Sequence, residues 1–169
     1  MTFTRWFLAA ALTAAACGAA AADEPSGCAA FRWPLDRERT ELVRPDRPSL
    51  ANGGALAYNV ATTLKLAPFG EAGLPKAPER APKSQQSYAG HFTLPAPAAP
   101  GRYKVTITSE SWIDVLDGGD YLHPAAFSGA MNCEGARKSV KFDLPARPLA
   151  VQFSGVKDDQ ISIIVSPGQ

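Results

Sequence analysis

The chain has 169 residues, with 17 Lys and Arg against 16 Asp and Glu, 15 prolines, 14 glycines, three cysteines and two histidines. That length suits one domain with a real core and is short for two. Near-neutrality argues against nucleic acid or an anionic membrane surface as the main partner, since both demand a basic excess.

Arg5 is the only charged residue among residues 1–22, and Trp6 to Ala16 is an unbroken run of apolar or small side chains. Such a run is too short for a helix to span a bilayer core of roughly 30 Å. Ala20-Ala21-Ala22 before Asp23 places small residues where a signal peptidase needs them. The sequence therefore predicts a signal peptide over 1–22, cleaved after Ala22. The competing route is lipid attachment at Cys17, preceded by Ala14-Ala15-Ala16, which lacks the larger aliphatic residue usual three positions before such a cysteine. No other stretch is apolar enough to cross a membrane. The expected location is periplasmic or secreted, with a lipoprotein anchored at Cys17 as the alternative.

Cleavage leaves Cys28 and Cys133, an even number in an oxidising compartment. A structural disulfide would tie the mature N-terminus to a late loop. The other readings are two unrelated thiols, or a redox pair, which usually comes as Cys-x-x-Cys and has no such spacing here.

Residues 34–43 predict a two-turn amphipathic helix. Pro34 suits a first helical position, Leu35, Leu42 and Val43 recur at helical spacing, and Pro45 and Pro48 stop it. Its charges alternate in sign, which reads as a solvated face. Thr62, Leu64 and Leu66 alternate with Thr63 and Lys65 as in a half-buried strand. Seven prolines between Pro68 and Pro100 exclude a regular helix. Phe69, Leu74, Tyr88 and Phe92 suggest extended segments clamped to the surface around a strand at Tyr88 to Leu94, the rival being a low-complexity linker.

Beyond Gly101 the period-two pattern is plain. Strands are expected around Tyr103–Ile107, Ser111–Leu116, Tyr121–Phe127, Ser139–Leu144, Leu149–Phe153 and Gln160–Val165. Asp117-Gly118-Gly119-Asp120 is a hairpin turn. The expected fold is all-β: an antiparallel β-sandwich or jelly roll with a short N-terminal helix and a Pro-rich extended segment. Residues 23–100 hold the helix, short strands and Pro-rich segment, 101–169 the sandwich portion, and 23–169 are expected to form a single domain.

Gly101-Arg102-Tyr103-Lys104-Val105-Thr106, Trp112-Ile113-Asp114-Val115, Arg137 to Leu144 and Leu149 to Gly155 resemble a group of short exported proteobacterial proteins. Their C-terminal part is similar to the pre-peptidase C-terminal sandwich domain, a likeness that spans Gly101 to Val165. It implies a binding or accessory role in the cell envelope, toward an envelope protein or a small ligand, without enzymatic activity or cofactor. Some members of the short-protein group carry a homogentisate 1,2-dioxygenase label. That label implies the alternative of a small metal-dependent enzyme with non-haem iron; the labelled enzyme family itself holds the iron by two histidines and a glutamate in a much larger cupin subunit. The chain matches no such motif.

Few residues offer chemistry. His91 and His123, with Glu110, Asp114 or Glu134, supply the count for non-haem iron but show no His-x-Asp/Glu pairing. Ser128 lacks the nucleophile-elbow frame and reads as turn chemistry. Asp114, Asp117 and Asp120 lack the spacing of an EF-hand. A binding face is expected instead at Trp112 and Asp114, which share one face of a strand, where an indole can stack on a ring and a carboxylate can hold a hydroxyl. Arg137 and Lys138 would add an anion-binding corner. Against this stands ordinary packing, with Trp112 plugging the core and Asp114 paired to a basic neighbour.

Overall fold

The computed structural model describes residues 24–168. Arg5, the apolar run, Cys17 and the cleavage position after Ala22 lie outside the described residues.

The described chain begins with a lead-in, residues 24–35, and the α-helix α1 (Asp36–Leu42). Short strands β1 (Ser49–Leu50), β2 (Thr62–Lys65) and β3 (Ala67–Pro68) precede the proline-rich segment, and β4 (Tyr88–Leu94) follows it. Then come β5 (Gly101–Ile107), β6 (Trp112–Asp117), β7 (Asp120–Leu122), β8 (Ala126–Gly129), β9 (Lys138–Leu144), β10 (Leu149–Val156) and β11 (Gln160–Pro167). One sheet has the order β1-β2-β11-β5-β9-β8 and the other β3-β4-β10-β6-β7. Among the strands named here only β1 with β2 is a parallel pair. The protein is an all-β sandwich, and among the described residues no helix is long and apolar enough to cross a membrane.

The core is the alternation made solid. Phe92, Val151 and Val115 lie in one row across β4, β10 and β6, because each is the register partner of the next. They meet Val105, Ile107, Phe142 and Ile163 from the other sheet, all essentially inaccessible to solvent. Alternate residues of these strands thus face in, even-numbered on β4 and β9 and odd-numbered on β5, β6, β11 and, up to Phe153, β10.

Both outer faces are covered, in different ways. Against the six-stranded sheet lies α1, with Leu42 packed on Ile164 and Ala61. The helix is not simply apolar-in. Glu38, expected on the solvated face, is 4% exposed, while Val43, expected to pack, is 46% exposed. Glu38 lies one turn from Leu42 and must share its buried face; Ser166 and Lys104 on the sheet make that burial tolerable. Over the five-stranded sheet runs the proline-rich segment, docked as expected. The Gln152 amide donates to the Lys76 carbonyl at 3.1 Å, Asn52 donates to the Ala72 carbonyl at 2.8 Å, and Tyr121 donates to the Ala77 carbonyl.

Two expected strands change sheets midway. Thr62 to Leu66 continues into β3, so the chain leaves one sheet and enters the other at Leu66. The single strand expected at Tyr121–Phe127 is two, β7 and β8, in opposite sheets. The break falls at Pro124, which has no N–H to give to a ladder. The Asp117–Asp120 hairpin forms as expected, with Gly118 and Gly119 both at positive φ, 59° and 99°, the conformation a two-residue turn of this hand requires.

Cys28 and Cys133 are joined in a disulfide across 105 residues of chain. Around it the lead-in is laced to the loop after β8: Gly27 N–H donates to the Met131 carbonyl at 2.8 Å and Met131 N–H to the Pro25 carbonyl at 2.7 Å. Reduction, or a double Cys→Ser variant, should lower stability by about 2–4 kcal/mol, a fall of several degrees in Tm for a domain of this size. Differential scanning calorimetry with and without reductant measures it. Coincident transitions would mean the lead-in is held without the bond.

Candidate functional site

The sandwich is open at one corner. Strand β7 pairs only with Val115–Asp117, so Trp112, Ile113 and Asp114 of β6 have no strand along their outer edge. Across the gap the six-stranded sheet ends at β8, where Phe127 is the register partner of Val140. Directly opposed residues share a face, so Phe127 lies on the inter-sheet side with the core residue Val140, yet its side chain is 66% exposed. Between these edges lies a cleft of about 590 Å³, with Ile113, Leu122, Phe127 and Val140 among its walls. Pro25, Ala30 and Arg32 of the lead-in line another side. There the Arg32 N–H donates to the buried Ser128 hydroxyl at 3.0 Å. Ser128, the unsupported nucleophile, thus holds a wall in place.

Trp112, Asp114, Arg137 and Lys138 all line this cleft. Asp114 is 4% exposed and already satisfied. Its Oδ1 accepts from the Trp112 indole N–H at 2.6 Å, and its Oδ2 accepts from the Gln152 amide at 2.9 Å and the Glu79 N–H at 3.4 Å. The carboxylate therefore orients Trp112 and seats the proline-rich segment, rather than waiting for a hydroxyl. Neither packing alternative describes it fully: Trp112 stands at the cleft, and Asp114 meets neutral donors instead of a base. The Arg80 guanidinium sits over the Trp112 ring, 5.6 Å from its centre.

Arg137 and Lys138 stand together but with their charges matched. Arg137 bonds Glu24 at 2.6 Å and Glu110 at 2.9 Å; Lys138 bonds Glu110 at 2.8 Å and the Ser111 carbonyl at 2.6 Å. Both bases are mostly buried in this pairing. The expected anion corner is thus a structural clasp that ties the lead-in to β9.

The two histidines are kept apart. His91 is on β4 and His123 just past β7, with β10 and β6 between, which is three strand spacings or about 14 Å. The His91 N–H donates to Asn52 at 2.8 Å, and His123 stands 3.6 Å from Glu79 at the surface. Asp117 is paired with Arg147, and Asp120 ends the exposed hairpin. Among the described residues no three His, Cys, Asp or Glu side chains converge as metal ligands would.

Phe127 is the residue that sequence reasoning missed. The sequence marks it only as the end of the expected strand Tyr121–Phe127; its exposure goes with the sheet switch at Pro124, which leaves β8 at an edge. The molecule thus presents a two-sheet all-β sandwich with an apolar mouth. No protein-family model, no curated protein and no solved structure matches the chain.

Proposed function

We propose that this is an exported, non-enzymatic binding or accessory protein of the cell envelope, and that its ligand site is the cleft at the open corner of the sandwich. The observation that carries the reading is Phe127, an aromatic ring 66% exposed on the wall of an apolar cleft of about 590 Å³. Pockets of that size with a few convergent polar groups are the usual seats of small ligands. Full burial of such a ring by a ligand is worth about 1.5–3 kcal/mol. The leader pattern, Arg5 followed by Trp6 to Ala16 and Ala20-Ala21-Ala22, supports export, and the Cys28–Cys133 disulfide is compatible with an oxidising compartment. The likeness of Gly101–Val165 to the pre-peptidase C-terminal sandwich supports the accessory role.

Protein recovered from the periplasmic fraction should begin at Asp23. It should also enhance the fluorescence of the neutral apolar probe N-phenyl-1-naphthylamine. Phe127→Asp should weaken that binding at least tenfold (about 1.4 kcal/mol at 25 °C) while leaving the β-rich circular dichroism spectrum unchanged. Intact Met1 in a cytoplasmic fraction would defeat export. Equal probe binding by the variant, or none by the folded parent, would defeat the cleft.

A further inference from the structure

Trp112 borders two cavities. Beside the inter-sheet cleft lies a smaller one of about 380 Å³, and Arg80, Glu110, Trp112 and Lys138 line both, so the two adjoin at the indole. Their chemistry differs. In the larger cleft Arg32, Arg80, Arg137 and Lys138 are balanced by Glu24, Glu79, Glu110 and Asp114. The smaller is lined by Arg80, Lys83, Lys138 and Lys157 with Glu110 as its sole carboxylate. Both oxygens of Glu110 are already engaged, one by Lys138 at 2.8 Å and the other by Arg137 at 2.9 Å. Among the described residues neither Lys83 nor Lys157 has a carboxylate within ion-pair distance, and Arg80 meets only the Trp112 ring.

A second, independent feature lies in the same wall. Ser154 is 1% exposed and lines the smaller cavity, yet its hydroxyl has no hydrogen-bond partner among the described residues. Buried hydroxyls are normally paired, and Ser154 stands opposite Trp112 in the β10–β6 register, beside the lysines. Exposed lysines without an ion-pair partner and a buried, unsatisfied hydroxyl in one cavity are the complement of an anionic oxygen group.

We infer that the two cavities form one bipartite site for an amphiphilic organic anion. The anionic head occupies the smaller cavity against Lys83, Lys157 and Ser154, and the apolar body passes Trp112 into the Phe127 cleft. The inference rests on the larger cleft being a binding site, as proposed above, and adds the ligand class.

The test is displacement of N-phenyl-1-naphthylamine from the mature, oxidised protein by decyl phosphate, decanol and inorganic phosphate, each below its aggregation limit. Decyl phosphate should displace the probe at least ten times more tightly than decanol, and added salt should weaken decyl phosphate alone. A Lys83→Gln, Lys157→Gln double variant should lose that advantage and bind decanol as before, which also reports that it folds. Ser154→Ala should weaken decyl phosphate several-fold and leave decanol unchanged. Equal displacement by decyl phosphate and decanol would overturn the anionic half while leaving the apolar cleft standing. Inorganic phosphate binding as tightly as decyl phosphate would overturn the joining of head and body. Absence of probe binding at the outset would remove the cleft reading itself.

Discussion

Truncation of Phe153 to alanine should destabilise the protein by about 3–5 kcal/mol, the usual cost of emptying a core aromatic site. The same change at Phe127 should stay within roughly 0.5 kcal/mol, as for a surface position. Both residues are phenylalanines on strands of the same sandwich, and only their surroundings differ. Phe153 is wholly buried on the central strand of its sheet, its ring tilted against Phe92 at 6.2 Å between centres. Neighbours held by two strand ladders cannot collapse into the space it leaves. Phe127 stands two-thirds in solvent on an edge strand. Urea unfolding of the two variants measures the contrast, read at unchanged slope so that midpoints report stability. A large loss at Phe127 would mean that the mouth of the sandwich is shut in solution.

Loss of the Glu38 carboxylate should be nearly as damaging. The Ser166 hydroxyl donates to it at 2.7 Å and the Lys104 ammonium lies at 3.1 Å, with the Lys104 side chain only 12% exposed. Glu38→Ala leaves that ammonium beneath α1 without its counter-charge, a situation that typically costs about 3–5 kcal/mol. A Glu38→Leu, Lys104→Leu double variant should recover most of the loss, because the pair together can be replaced by apolar packing. Acid should reveal the same group. Burial pushes the Glu38 carboxyl up, but the Ser166 hydroxyl, its own backbone N–H and Lys104 together hold it below its ordinary value of 4.5. A group depressed in the folded state contributes fully above the unfolded value. Its contribution is therefore complete above pH 4.5 and drains away as pH falls from there through the lower folded value. Thermal midpoints of Glu38→Ala should vary less with pH across that interval than those of the parent. Parallel curves would show that folding leaves the Glu38 pKa unshifted.

The strands were legible because a buried face imposes period two on the residues themselves. Val140, Phe142 and Leu144 announce β9 without reference to any neighbour. Partnership across the fold was not legible in this way. Of the donors that satisfy Asp114, Trp112 is its strand neighbour, but Gln152 and Glu79 are 38 and 35 residues away, so spacing suggested a free carboxylate where the fold makes an occupied one. Glu38 misled for a similar reason. Alternating charges describe a solvated helix face unless the sheet below supplies a cation and a hydroxyl, and Lys104 and Ser166 are far along the chain. Arg137 and Lys138 were located correctly, but Glu24 and Glu110, which match their charges, could not be assigned to them from spacing.

The strand order also governs when this chain can fold. Strand β10 is the centre of one sheet, between β4 and β6, and β11 is interior to the other, between β2 and β5. Among the described residues these are the last two strands in chain order. Until Leu149–Pro167 emerges, β2 has no antiparallel neighbour and β4 and β6 cannot be joined. At roughly 5–20 residues per second, the earlier strands wait for several seconds or longer with their edges unmatched. The arrangement that closes the sandwich thus keeps both sheets incomplete until one stretch, Leu149–Pro167, is in place.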